Sequence, residues 1–308
     1  MKLLAIDLGG TEVKMGLVDD QGRIEKKASA SVSFDGYRTP IQVTAVKAAK
    51  AFLREYPQEI QGVAVSACGQ IYPAIGMVIG TNGKIPNYEG TNLKAEMEQS
   101  FGKETWVLND ANAAALGECF AGRARGLQDV ILVTLGTGVG GGVVSGGKLL
   151  GGRRGIAGEL GHFTLRADGP RCPCGKRGCY EHYASTSALT ARCEAASGRS
   201  GLNGRIIFQE VKQGNRIFRS ELNAWIRDIA EGLTGLAHIF NPEMILIGGG
   251  VSAQEELLIQ PLREIVLWQA MPRFAEGLRI ERTLLGNDAG MIGAVRYWLD
   301  CHKRSNPG

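Results

Sequence analysis

No stretch of this chain approaches the roughly 18 consecutive apolar residues of a membrane-crossing helix, and the N-terminus enters Lys2-Leu3-Leu4-Ala5-Ile6-Asp7 without a signal sequence. Both absences set the expectation of a cytoplasmic protein with no membrane partner. Massed charge is missing too: 35 basic residues are interspersed with 31 acidic ones for a net +4, which argues against a nucleic-acid partner. There is no Gly-Lys-Ser or Gly-Lys-Thr ending of a Walker A loop, and no Gly-x-Gly-x-x-Gly at a strand-to-helix turn. The 7 cysteines are an odd number, and Cys172, Cys174 and Cys179 crowd together near a histidine. In a cytosolic chain that spacing reads as metal ligation rather than disulfide pairing.

What is present is the composition of an ordinary globular protein, with 44% hydrophobic and 21% charged residues. At 308 residues the chain exceeds what one hydrophobic core usually holds, so two domains with a cleft between them are expected. Leu3 to Asp7 reads as a strand, Leu8-Gly9-Gly10-Thr11 as a turn, and Val13 to Val18 as a second strand. Arg23 to Val32 adds a third strand, Thr39 to Glu55 a helix stopped at Pro57, and Gly62 to Ser66 a buried strand. Trp106-Val107-Leu108 is a strand ending at Asn109-Asp110, and a helix follows from Ala111 to Glu118.

From Asp129 the opening plan repeats: an apolar strand to Leu135, then Gly136-Thr137-Gly138-Val139-Gly140-Gly141-Gly142, then Val143-Val144. Leu8-Gly9-Gly10-Thr11 lies over Leu135-Gly136-Thr137-Gly138, an internal echo that suggests two related halves, each with a phosphate-facing hairpin. Further on, Phe218 to Phe240, Gln254 to Gln269 and Ala289 to His302 read as helices, and Met244 to Ile247 as a strand before Gly248-Gly249-Gly250. Strands alternating with helices indicate an α/β fold with mixed sheets.

Asp7, Gly9, Gly10, Thr11 and Lys14 offer an acid, an approachable backbone, a hydroxyl and a cation, because glycine lets amides point at phosphate oxygens with no Cβ in the way. Gly136, Thr137 and Gly138 would supply the donors for the rest of a triphosphate. Gly249 and Gly250, between a strand and a helix, could let an adenine or ribose lie against the backbone, or could simply form a turn. Asp110, at a strand end, suits a general base for a hydroxyl nucleophile; Asn109-Asp110 also suits a helix cap, and one pair can do both.

Taken together, Asp7 to Thr11 with Lys14, Asn109 to Ala114, Leu135 to Gly141, Gly158-Glu159-Leu160-Gly161-His162, Cys172 to Glu181, and Asn287 to Gly290 with Gly293 resemble the ROK family of repressors and sugar kinases. The resemblance implies an actin-like ATPase fold, related to ribonuclease H, with duplicated domains around a central cleft. On it, residues 1–115 with about 289–308 form a smaller domain, and 116–288 a larger one carrying a zinc segment at 162–181. Repressor members carry an N-terminal winged helix, for which there is no room before the motif at Asp7.

The implied reaction is transfer of the γ-phosphoryl of MgATP to a hexose hydroxyl, with Asp110 as base and Mg²⁺ held through waters near Asp7. Gly69, Asn87, Asn109, Asp110, Glu159, His162 and Glu181 match the family's sugar-binding positions. Glu159 and His162 share a face if their segment is helical. Glucose at its 6-hydroxyl is the default acceptor; N-acetylmannosamine, fructose, allose or a β-glucoside are the alternatives, and a non-catalytic sugar-sensing regulator is the reading from another class. Cys68 stands where family members usually have proline, and Tyr88-Glu89-Gly90 replaces Leu-Pro-Gly after Asn87. A homodimer is the expected assembly.

His162 with Cys172-x-Cys174-x4-Cys179 is a four-ligand set of the type that closes around structural Zn²⁺. Soft thiolates disfavour Mg²⁺ or Ca²⁺ there. One imidazole nitrogen of His162 could bind zinc while the other reaches a sugar hydroxyl.

Overall fold

The computed structural model describes residues 1–81 and 83–305. They fall into two compact units, the first made of 1–126, 149–158 and the chain from Leu284 onward, the second of 127–148 and 159–283. Each unit is a mixed α/β layer structure with its own apolar core.

In the first unit the strands β1 (Lys2–Leu8), β2 (Glu12–Asp19), β3 (Ile24–Ser31), β4 (Gly62–Ala67) and β7 (Thr105–Asn109) form a sheet in the order β3-β2-β1-β4-β7. Between β4 and β7 in sequence, β5 (Gln70–Tyr72) and β6 (Met77–Gly80) make a separate hairpin. β1 runs antiparallel to β2 and parallel to β4, and β4 runs parallel to β7. The period-2 alternation of strands divides β1 between two cores. Leu4, Ile6 and Leu8 pack with Ile41, Ala45 and Phe52 of α1 (Ile41–Glu55) and Leu93 and Met97 of α2 (Leu93–Phe101). Leu3 and Ala5 meet Met291, Val295 and Trp298 of the C-terminal helix Ala289–Ser305. Covered on both faces, β4 is buried at every residue, as a central parallel strand should be. The C-terminal helix also lies close against α3 (Asp110–Ala121), an approach that requires glycine: a Cβ on Gly293 would run into the Ala113 carbonyl, and one on Gly117 into that of Ala289.

The second unit repeats the plan. β8 (Val130–Leu135) pairs antiparallel with β9 (Val139–Ser145) and parallel with β11 (Met244–Gly248), which pairs parallel with β12 (Arg279–Arg282); the order is β10-β9-β8-β11-β12, with β10 at Lys148–Leu149. Its helices are α4 (Glu181–Ala184), α5 (Thr186–Ser197), α6 (Gly204–Lys212), α7 (Arg216–Phe240), α8 (Gln260–Gln269) and α9 (Pro272–Ala275). α7 ends where Asn241 turns left-handed at φ 46° ahead of Pro242, the usual way a helix stops without glycine. Tyr180, Phe218, Trp225, Ile245 and Ile247 lie in the core.

Three details depart from the sequence expectations. β9 begins at Val139, so Gly140 to Gly142 are strand rather than turn; a Cβ on Gly141 would stand 2.5 Å from Leu160 Cδ1, so the strand is glycine-rich because another segment packs on it. Residues 116–126 stay with the first unit, α3 running on to Ala121, and 149–158 join it as well. Gly155 abuts Pro73, and Asn112 Nδ2 donates to the Ala157 carbonyl at 3.4 Å. The return at Leu284 is fastened by Glu118, fully buried, which accepts the N–H groups of Leu284 and Leu285 on Oε1 and that of Arg123 on Oε2, each at 2.8 Å. Finally, Gln254 to Gln269 is not one uniform helix: Glu255–Ile259 is a π-type turn leading into α8.

Candidate functional site

In the first unit the chain leaves β7 at Asn109 and starts α3 at Asp110. Asn109, in extended conformation at φ −61° and ψ 146°, caps the helix: its Oδ1 accepts the N–H of Ala111 at 3.0 Å and of Asn112 at 3.1 Å. The cap is thus Asn109, and Asp110 is left as the first helical residue, where a carboxylate is favoured by the helix dipole. Asn109 Nδ2 donates to Asp110 Oδ1 and to the Gly69 carbonyl, both at 2.9 Å. Asp110 Oδ1 also accepts the Ala111 N–H at 2.9 Å. Among the described residues every hydrogen bond to this carboxylate falls on Oδ1, so Oδ2 keeps its lone pairs. The side chain reaches the surface, yet the surrounding protein partly desolvates it. That desolvation, with the negative charge of Asp7, pushes its pKa up to about 6 against the pull of its hydrogen bonds.

Asp7 ends β1. Its Oδ2 lies 3.3 Å from Lys14 Nζ, and its Oδ1 accepts Ser66 Oγ–H at 2.7 Å. Gly290, at the start of the C-terminal helix, is what lets that helix come near; a Cβ there would stand 2.8 Å from Asp7 Oδ1. The turn between β1 and β2 is closed by the Gly9 N–H on the Glu12 carbonyl at 3.0 Å, and the Thr11 carbonyl accepts the Val32 N–H at 2.9 Å. Gly10 has only the Ile85 side chain near its Cβ position, at 3.4 Å.

In the second unit the matching turn is held differently. The Gly136 N–H meets the Gly138 carbonyl at 3.0 Å, while the Gly136 carbonyl accepts both the N–H of Thr186 at 2.8 Å and its Oγ1–H at 2.5 Å. A cavity of about 370 Å³ opens beside the turn, lined by Thr137, Thr186, Thr190, Glu194, Asn203 and Gly204 among others. Gly249, at φ 90°, lies against the Leu135 carbonyl, which a Cβ would strike, so this glycine serves close packing of β11 on β8.

His162 closes a single 3₁₀ turn, Leu160–His162, with its N–H on the Glu159 carbonyl at 3.0 Å; Glu159 precedes the turn, so the two do not share a helix face as expected. His162, Cys172, Cys174 and Cys179 bring one donor atom each to within 4.8 Å of one another. Cys172 Sγ is 3.7 Å from His162 Nδ1, and Cys174 Sγ is 3.5 Å from Cys179 Sγ. With metal–sulfur bonds of about 2.3 Å, the edge of a tetrahedron is about 3.8 Å, so these spacings fit a four-coordinate soft-metal site. All seven cysteines are free thiols. Glu181, at the start of α4, touches both features of this unit: its Oε1 is 3.7 Å from His162 Nδ1 and 3.5 Å from Cys172 Sγ, and its Oε2 lies 2.8 Å from where a Cβ on Gly138 would be.

Three groups of the expected residues are therefore brought together: Asp7 with Lys14; Gly69 with Asn109 and Asp110; and His162 with Cys172, Cys174, Cys179, Glu181 and Gly138. Asn87 sits on an exposed loop in left-handed conformation at φ 55°, Thr11 and Glu159 are exposed, and Gly250 has open space at its Cβ position. Sequence reasoning passed over Ser66 and Thr186, and named Gly290 only within a motif, without a role. No local pattern marks a serine or threonine whose partner is remote in sequence.

A family profile described as ROK family matches residues 3–301. The glucokinase of Thermotoga maritima is 34% identical over 309 aligned positions, covering 96% of this chain and 96% of that protein. A β-glucoside kinase of Listeria monocytogenes is 33% identical, covering 99% of each. The crystal structure of a ROK family glucokinase from Streptomyces griseus, in complex with glucose and AMPPNP, superposes with a TM-score of 0.80 at 31% identity, over 96% of this chain and 99% of that one.

Proposed function

The chain belongs to the ROK family, and on that premise we propose that this ATP-dependent sugar kinase phosphorylates a glucose-like hexose at its 6-hydroxyl with Asp110 as general base. The carrying observation is the placement of Asp110 at the start of α3, with Oδ1 held by Asn109 Nδ2 and the Ala111 N–H. Burial and the charge of Asp7 push its carboxyl up to about 6, a direction that suits a group taking a proton from a hydroxyl whose oxygen is bonding to phosphorus. Oδ2, without a hydrogen bond among the described residues, is the atom that receives it.

In that step the sugar oxygen forms a bond to the γ-phosphorus, the bond from phosphorus to the β,γ-bridging oxygen breaks to release ADP, and the hydroxyl proton passes to Asp110. Asn109 fixes the base through Oδ1 and has the Gly69 carbonyl as its second partner. Asn87, Asn109, Gly69, Glu159, His162 and Glu181 are the residues proposed to take the sugar hydroxyls. Gly9, Gly10, Thr11 and Lys14 and the turn Gly136 to Gly138 take phosphate oxygens, through amides that need no reorganisation when charge moves. Mg²⁺, when bound, would supply charge neutralisation to the phosphates, and Asp7 would hold it through water. The cavity beside Thr137 has room for the nucleoside, with Gly249 and Gly250 as backbone against which its adenine or ribose would lie.

Zn²⁺ is assigned to His162, Cys172, Cys174 and Cys179 on the fit of donor type and spacing. It would perform no chemistry; His162 and the three thiolates would hold it, and it would in turn fix His162 and the neighbouring Glu181. ATP as donor and free thiols as ligands both suit the cytoplasm, and a homodimer is the assembly that general frequency favours.

The test is ATP consumption with a panel of glucose, mannose, fructose, allose, N-acetylmannosamine and cellobiose. Turnover with glucose is expected to lead. Likeness to a β-glucoside kinase makes cellobiose the second acceptor to watch, and consumption with none of them would overturn the proposal.

A further inference from the structure

Cys68-Gly69 and Asn87-Tyr88 are the places where this chain has its own residues within the sugar-binding pattern, and the fold ties them together. Tyr88 is 1% exposed, and its hydroxyl donates to the Cys68 carbonyl at 3.2 Å. Beside it, Asn87 holds φ 55° and projects from an exposed loop. The loop is pinned behind it, with the Gly90 N–H on the Val78 carbonyl at 2.8 Å and the Val78 N–H on that of Thr91 at 2.9 Å. On the other side of the tie, the Cys68 N–H is bonded to Leu8 at 3.0 Å, and Gly69 turns at φ 90° against β6, where a Cβ would come within 2.9 Å of the Gly80 carbonyl. The Gly69 carbonyl is the acceptor for Asn109 Nδ2, the same amide that holds Asp110 Oδ1.

The geometry points to Tyr88 as a positioning residue that locks the Asn87 loop to the Cys68-Gly69 turn and so sets the spacing of sugar contacts relative to Asp110. The inference rests on the sugar-kinase reading and deepens it. Tyr88 touches no substrate; its phenol is buried and acts through two neighbours. The ring fills the core under the loop, so removing only the hydroxyl keeps the packing and frees the turn. A left-handed Asn87 and a left-handed Gly69 facing a common ligand can hold one hydroxyl pattern only while their separation is fixed. A buried tyrosine kept merely for stability would change the melting temperature without distinguishing one substrate from the other.

The experiment compares wild type with Tyr88→Phe in steady-state kinetics on glucose and ATP. Loss of one neutral hydrogen bond corresponds to roughly fivefold, so KM for glucose is expected to rise by about that factor, while KM for ATP stays within about twofold. A glucose KM within twofold of wild type, or a parallel change of glucose KM, ATP KM and kcat, overturns the positioning role. Hydrogen–deuterium exchange of the wild-type protein gives a second readout that needs no variant. Peptides covering 66–71 and 86–91 should gain protection together, at the same half-maximal glucose concentration; protection in only one of them overturns the tie. Wild type that turns over no sugar in the panel and gains no protection overturns the kinase reading along with it, whereas wild-type turnover with an unaffected variant overturns the inference alone.

Discussion

The two glycine turns, Gly9 to Thr11 and Gly136 to Gly138, follow antiparallel strands in sheets of matching order, and yet each is held by different chemistry. The first is set among charges: Asp7 bonded to Ser66 and paired with Lys14, and the negative charge of Asp7 felt by Asp110. The second has a neutral anchor, Thr186 on the Gly136 carbonyl, with a thiol cluster and Glu181 alongside. A repeated strand plan thus carries two chemistries. Charged side chains stand beside the first turn, and a threonine with a thiol cluster stands beside the second.

If that division is right, damage to the two copies should look different. The largest effect is expected from Asp110→Asn, which keeps the shape and removes the base: kcat should fall by about a thousandfold, with glucose affinity by calorimetry within about threefold. Near-normal turnover would end the assignment of the base. Next comes Cys179→Ala, or prolonged treatment with a strong chelator. Bound zinc, measured by atomic absorption, should drop from about one per chain to none, with activity down by about ten- to a hundredfold and a lower melting temperature. A full complement of activity in zinc-free protein would show that the thiol cluster does not shape the sugar residues.

The third test is the pH profile. A base must be ionised, so kcat/KM should fall about tenfold per unit below a limb near pH 6, set by the raised pKa of Asp110. Asp7→Asn removes the like charge that helps to raise that pKa, so the limb should move to lower pH even as the maximum rate drops. A limb that stays fixed would separate Asp7 from the titration. The smallest effect is expected from Thr186→Val, which deletes one hydrogen bond to Gly136 and leaves the backbone one. KM for ATP should rise about fivefold, with KM for glucose unchanged.

Local pattern made the two turns, the start of α3 and the thiol cluster legible, because each is short in sequence: an apolar run, a glycine, an Asn-Asp, a Cys-x-Cys. Two-domain organisation followed from length. What stayed hidden depends on partners far along the chain. Glu159 and His162 have helical spacing, but their segment makes only one 3₁₀ turn. Gly140 to Gly142 look like a loop until Leu160 is seen to need the room above Gly141. Ser66 on Asp7, Thr186 on Gly136 and Tyr88 on Cys68 are choices of partner across 59, 50 and 20 residues of sequence, and nothing in a serine, threonine or tyrosine announces them.

The route of the chain has a consequence for dissecting the protein. It enters the second unit after Gly126, leaves it for 149–158, comes back at Glu159, and departs for good at Leu284. No single cut yields either half intact. A gene fragment spanning 127–283 would carry 149–158, a stretch that belongs to the other half. Shuffling modules between relatives at one junction would meet the same obstacle, so the two copies are bound to be inherited as a pair.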